Sequence, residues 1–208
     1  MESNKEIYKE NSKKTFDYQA EIYDQTYYGK HAGNLYDVIV QKIEKLNPNS
    51  LLDVGCGTGN ILSILCKSDK INLFGIDLSE VMIVEAKKKT NSKVELKVGD
   101  SEQLPWRDGN FECIICTDSF HHYPRPEKVL LEMARVLKLN GKIIIGDPWA
   151  LDPLRQIINI FCKFSKAGDY RIYSKKEIKE LLLKCGFKNI VWEKVNRNSF
   201  VITGEVNK

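Results

Sequence analysis

Apolar residues along this chain recur at two alternating periods. Leu51-Leu52-Asp53-Val54 is a short, nearly continuous apolar run; after a glycine-rich turn, Ile61, Ile64 and Leu65 fall at i, i+3 and i+4 within Asn60 to Lys67. The first pattern predicts a buried strand, the second one face of a helix. The alternation then repeats. Asn72 to Asp77 predicts a second strand, and Ser79 caps a helix that carries Met82, Ile83 and Ala86 on one face and closes on Lys87, Lys88 and Lys89. Val94 to Val98 predicts a third strand. Past the turn Arg107-Asp108-Gly109-Asn110 come a strand over Phe111 to Thr117, a helix over Pro126 to Leu137, a turn at Gly141 and a strand over Lys142 to Gly146.

Near-continuous apolar strands separated by helices predict a doubly wound α/β fold, with a mostly parallel sheet covered on both faces. At the carboxyl end Ser174 caps a helix that Gly186 stops. Asn189 to Val195 and Ser199 to Glu205 then predict an antiparallel hairpin around Asn196-Arg197-Asn198, which completes a Rossmann-like sheet of seven strands. Two segments stand outside the repeat. Residues 1–47 are helical in pattern and rich in tyrosine, and 148–173 carry Leu154, Ile157, Ile158, Phe161 and Phe164 at helical spacing. The expected layout is a single domain over 1–208: an amino-terminal helical cover (1–47), a core (48–147), an insertion or lid (148–173) and a terminal helix with the hairpin (174–208). Both outlying segments are expected to wall an apolar acceptor pocket, with Trp149.

A chain of 208 residues with 42% hydrophobic and 29% charged residues supports one packed core and excludes a mostly disordered chain. The formal net charge of +4 comes from scattered rather than clustered basic residues, which argues against a nucleic-acid partner. Met1 to Lys14 is polar, and no run is long enough to span a bilayer, so a cytoplasmic protein is expected. Cys113-Ile114-Ile115-Cys116 has CxxC spacing, but positions i and i+3 of a strand point to opposite faces. The cysteines are therefore expected to be reduced and no metal site is expected.

The chemistry concentrates at strand ends. In Asp53-Val54-Gly55-Cys56-Gly57-Thr58-Gly59, three alternate glycines let the backbone turn tightly and approach a ligand. The spacing is GxGxG, and Asn60 follows where a dinucleotide fingerprint continues toward a third glycine, which weakens an NAD-dependent oxidoreductase reading. Asp77, ending the second strand, suits a ribose diol of any adenosine ligand. Asp100, ending the third, suits an adenine amino group.

In order along the chain, Leu51 to Asn60, Phe74 to Met82, Lys97 to Trp106, Phe111 to Pro124 and Val136 to Gly146 resemble the class I S-adenosylmethionine (SAM) dependent methyltransferases. The likeness is to the small-molecule branch that includes the ubiquinone and menaquinone methyltransferases. The resemblance implies SAM as cofactor, S-adenosylhomocysteine as product and a small-molecule acceptor. It implies that Gly55, Cys56 and Gly57 contact the methionine end by backbone, with Asp53 and Thr117 beside it. Asp77 would bind the ribose, Leu78 flank the adenine, and Asp100 with Ser101 bind its exocyclic nitrogen. Ala20-Glu21-Ile22-Tyr23-Asp24 is similar to the family's SAM-covering helix, which makes Tyr23 a further candidate.

His121-His122-Tyr123 follows the fourth strand, at the sheet edge where ligands of doubly wound folds bind. An imidazole there can take a proton as the methyl arrives, or can simply shape the pocket. Either histidine is a catalytic candidate, and the sequence favours neither. A catalytically silent SAM-binding module is the other reading that stays open. Acceptor, methylated atom and oligomeric state are not legible.

Overall fold

The computed structural model describes residues 2–68, 70–162, 164–165 and 168–207. Met1 of the expected cover, and Lys163, Lys166 and Ala167 of the expected insertion, lie outside them. The chain opens with helix α1 (Glu2–Gln19), a 3-10 turn (Ala20–Gln25) and helix α2 (Tyr27–Leu46). Strands and helices then alternate as β1 (Ser50–Val54), α3 (Asn60–Leu65), β2 (Asn72–Asp77), α4 (Glu80–Lys89), β3 (Glu95–Val98) and β4 (Phe111–Thr117). A second 3-10 turn (Phe120–His122) leads to α5 (Pro126–Val136), β5 (Leu137–Pro148), α6 (Leu154–Cys162), α7 (Lys175–Lys184), β6 (Phe187–Lys194) and β7 (Ser199–Val206).

One seven-stranded sheet has the order β3-β2-β1-β4-β5-β7-β6. The pairs from β3 through β5 are parallel, whereas β7 runs antiparallel to both β5 and β6. The last strand of the chain therefore lies inside the sheet, and β6 forms the edge. Strand order reverses between β1 and β4, so the glycine loop after β1 and the histidine turn after β4 flank one crevice at the carboxyl edge.

Side-chain alternation sorts the core into two layers. Leu52, Val54, Ile114, Cys116, Ile143, Ile145 and Ile202 face α5 and α7, while Leu51, Cys113, Ile115, Ile144 and Val201 face α2 and α3. Cys113 and Cys116 thus lie on opposite faces. On α2, Leu35, Ile39 and Ile43 are fully buried, so most of the amino-terminal cover is a regular layer of the fold. Only α1 and the first 3-10 turn lie over the crevice.

Capping follows the sequence. The Ser79 hydroxyl accepts from the Met82 amide at 3.0 Å, and Ser174 with Glu177 forms a reciprocal capping box on α7. Two elements depart from expectation. β5 begins at Leu137, before Gly141: Asn140 takes a left-handed φ of 59° and the register with β4 shifts between Phe111 and Cys113, so the expected turn is an irregularity within a longer strand. β6 begins at Phe187 because Asn189, φ 52°, is likewise accommodated by a register shift. No helix of the described residues is long and apolar enough to cross a membrane.

Candidate active site

The crevice is a cavity of about 90 Å³ beneath α1, small beside the ~300–1,000 Å³ of common ligand pockets. From the sheet side it is lined by Gly55, Gly57, Asp77, Leu78, Asp100, Ser101 and Thr117, and from above by Tyr23 and by Lys9, Ser12 and Phe16 of α1. Every cofactor candidate except Asp53 and Cys56 lines it. Those two line a smaller chamber on the other side of the glycine loop, which also reaches Tyr23, Gly55, Gly57 and Thr117.

Two glycines shape the loop. At Gly55, φ 73°, a Cβ would stand 2.1 Å from the Ser119 hydroxyl, so the β1 end and the histidine turn can touch only through glycine. At Gly57, φ 51°, a Cβ would meet nothing within 4 Å; the backbone is open to a ligand. Asp77 braces this loop. Its carboxylate accepts from the Gly57 amide and from the Ser79 amide, both at 2.9 Å. Asp77 therefore organises the loop as well as presenting a carboxylate to the cavity.

The floor is acidic and buried. Burial, with the charge of Asp77 added, pushes the Asp53 carboxyl up to about 8. Burial likewise raises Asp77, although backbone amides pull it back. Asp53 Oδ1 and Thr117 Oγ1 are buried without hydrogen-bond partners. Such atoms are costly unless something else meets them.

The two histidines occupy different environments. His122 lines the cavity, whereas His121 does not, and both are buried. Burial opposes charge on His121, but Asp147, whose Oδ1 lies 2.9 Å from His121 Nδ1, outweighs it and lifts the imidazole to about 9. Burial and then the neighbouring His121 charge push His122 down. His122, where burial disfavours charge, faces the cavity, and His121, engaged by Asp147, stands behind it. A third histidine missed in the sequence, His31, bonds Asp118 at 2.8 Å and Ser199 at 3.1 Å. Asp118, φ 53°, also lines the cavity.

Phe16 joins the mouth to the histidines, its ring 5.1 Å edge-on from His122 and 6.2 Å from Tyr28. Lys9, Phe16, Ser119 and Tyr123 escaped sequence reasoning because nothing in a polar helix or a short turn marks which residues face a cavity. The insertion also departs from expectation. Leu154, Phe161 and Phe164 are 56%, 66% and 78% exposed, and Trp149 packs on Trp192. The stripe lines neither the crevice nor the smaller chamber, and the face that turns inward carries Arg155 and Cys162.

Residues 52–145 match the family described as "Methyltransferase domain". An uncharacterized protein of Methanocaldococcus jannaschii is 31% identical over 180 residues, covering 84% of this chain and 82% of that protein. A demethylmenaquinone methyltransferase of Lactobacillus johnsonii is 29% identical over 171 residues, 70% of each chain. The chain spans only 33% to 47% of the length of several other curated relatives. Among solved structures, the YcgJ protein of Bacillus subtilis superposes with a TM-score of 0.71 at 18% identity, covering 86% of this chain and 99% of that one, a likeness of fold. With the glycine loop, the strand-end carboxylates and the sheet order in place, these matches show that the chain belongs to the class I SAM-dependent methyltransferases.

Proposed function

We propose that this chain binds SAM in the crevice and transfers its methyl group to a small-molecule acceptor. The observation that carries the reading is the convergence of Tyr23, Gly55, Gly57, Asp77, Leu78, Asp100, Ser101 and Thr117 on one cavity that also receives His122. The residues fit the cofactor. The partnerless Asp53 Oδ1 and Thr117 Oγ1 are buried beside the loop, where the ammonium of a methionine group would meet them, and the open backbone at Gly57 leaves room for that end. Cys56 contributes backbone to the same end. Asp77 would take the ribose hydroxyls, Leu78 flank the adenine, and Asp100 with Ser101 accept its amino group. When bound, SAM supplies an electrophilic methyl on a sulfonium. The protein's own contribution is positioning and exclusion of water, which supply most of the acceleration in such a displacement.

Of the two histidines, His122 is the one placed to meet an acceptor. It faces the chamber, whereas His121 is engaged by Asp147 and positions its neighbour. Tyr23, Phe16 and Tyr28 give the entrance an aromatic lining suited to a partly apolar acceptor. Relatives named for low-molecular-weight or lipid acceptors, demethylmenaquinone, norajmaline and phosphatidylethanolamine among them, support a small acceptor. A single domain with α1 as its cover, working in the cytoplasm with its cysteines reduced, is the setting this reading favours.

Calorimetry with S-adenosylhomocysteine and with NAD tests the reading. The first should bind and the second should not. Asp77→Asn should weaken S-adenosylhomocysteine by on the order of 1.5–3 kcal/mol, since a charge-assisted ribose contact is lost; equal binding of NAD, or unchanged affinity in the variant, refutes it. Binding without turnover across a broad acceptor panel would favour the silent module.

A further inference from the structure

The histidine pair meets a carboxylate from a distant part of the chain. The Tyr170 and Arg171 amides both donate to the His121 carbonyl, at 2.9 and 3.0 Å, and pin the end of the insertion against the second 3-10 turn. This brings Asp169 Oδ1 to 3.6 Å from His121 Nε2 and 3.7 Å from His122 Nδ1, and one ligand atom from each of the three side chains lies within 4.8 Å of the other two. Those separations are too long for hydrogen bonds. They suit neighbours around one ion, because ligands ~2.0–2.1 Å from a tetrahedral cation stand ~3.3–3.4 Å apart.

Each ligand is already prepared. His121 Nδ1 is engaged by Asp147, the carboxylate–histidine pairing that orients a metal-binding imidazole and leaves Nε2 pointing at the ion. His122 is 6% exposed and its Nδ1 has no hydrogen-bond partner. The other oxygen of Asp169 accepts from the Ser165 hydroxyl, which leaves Oδ1 for the shared point. The Asp169 side chain is 26% exposed, so an ion can enter from solvent.

We propose that His121 Nε2, His122 Nδ1 and Asp169 Oδ1 form a binding site for a divalent cation of the Zn²⁺ type. Two imidazoles and one carboxylate are a borderline donor set that suits Zn²⁺ and Co²⁺ better than Ca²⁺ or Mg²⁺. Three protein ligands leave a coordination position open, the arrangement of catalytic rather than structural sites. Because His122 also lines the cavity, the open position adjoins the transfer chamber. There it would take an oxygen or sulfur donor of the acceptor, a hydroxyl or thiol. This acceptor class rests on the methyl-transfer reading; the cation site itself does not. A linear reading does not reveal it, since Asp169 lies far from the histidines along the chain.

The test is a Co²⁺ titration of the chelator-treated 208-residue chain, followed by Zn²⁺ competition. One Co²⁺ per chain should bind, with the visible d–d absorption of a low-coordinate site and no thiolate charge-transfer band. Asp169→Asn should weaken it roughly ten-fold or more, and Asp147→Asn by roughly ten- to a hundred-fold through loss of His121 orientation. S-adenosylhomocysteine affinity of Asp169→Asn, measured alongside, reports that the variant is folded. Absence of stoichiometric binding, a thiolate band, or undiminished binding in Asp169→Asn overturns the proposal. Cation binding without any S-adenosylhomocysteine binding would instead leave the site standing and refute the methyl-transfer reading.

Discussion

Helix α1 and the insertion around α6 both leave the core at the same edge of the sheet, yet only one of them covers the crevice. α1 is strongly polar and is held by ion pairs. Lys9 Nζ lies 2.7 Å from Asp100 and 2.6 Å from Glu102, Glu6 reaches Arg125 at 2.6 Å, and Asp17 accepts from the Ser79 hydroxyl. α6 is strongly amphipathic, and its apolar face looks out to solvent. Its inner side is polar: Arg155 pairs with Glu177, and the Asn159 side chain bonds both backbone groups of Ile172. An apolar stripe marks a helix that has a preferred face, but it does not say that the face is covered. A polar helix can be the lid when the rim beneath it carries charge. Among the described residues, the insertion meets the site at its end, where Gly168, φ 74°, lies so close to α1 that a Cβ would stand 2.5 Å from the Tyr8 carbonyl.

Removing Phe16, the large apolar side chain of α1 that packs on His122, should have the largest effect on this difference. Phe16→Ala should loosen the cover by ~2–4 kcal/mol. Hydrogen exchange should then speed up over residues 2–25 while 154–162 are unchanged, and S-adenosylhomocysteine should protect the first segment and not the second. Equal responses in the two segments would erase the distinction.

A smaller effect tests the acidic floor that α1 covers. The folded-state pKa of Asp53, about 8, lies above its ordinary 3.8, so the folded state holds a proton that the unfolded chain releases. Stability from this group is fully present below pH 3.8 and is lost as pH rises to about 8. Asp53→Asn should therefore raise the apo melting temperature by several degrees at pH 8 and leave it nearly unchanged at pH 4. Bound S-adenosylhomocysteine should shrink the difference, because its ammonium would neutralise the carboxylate. A variant that is no more stable than the parent at pH 8 would contradict the buried, uncompensated assignment.

The smallest effect is expected on α6. Phe161 is 66% exposed, so Phe161→Ser should change stability by no more than ~0.5 kcal/mol and leave S-adenosylhomocysteine affinity intact. A large loss in thermal unfolding would show that this face is buried in solution.

Much of the site was legible because its parts are local. The glycine loop, Asp77 and Asp100 each sit at a strand end, and parallel strands deliver their carboxyl ends to one edge whatever the helices between them do. The split between His121 and His122 was not legible. It depends on Asp147 from β5, which engages one ring and leaves the other facing the cavity. Nor were Lys9 and Phe16, since a polar helix carries no periodic mark of the face it turns inward.

The alternation of strand and helix, the antiparallel pair at the carboxyl end and the resemblance in the glycine loop and strand-end carboxylates could all be read from the linear pattern. All of these rest on short-range preferences: side-chain period, caps, and glycines where φ is positive. That α1 rather than α6 lines the crevice, that β7 lies between β5 and β6, and that Asp169 approaches the histidine pair came from packing across the fold. Those outcomes depend on which charged and buried groups meet across the fold, and a linear pattern does not record such meetings.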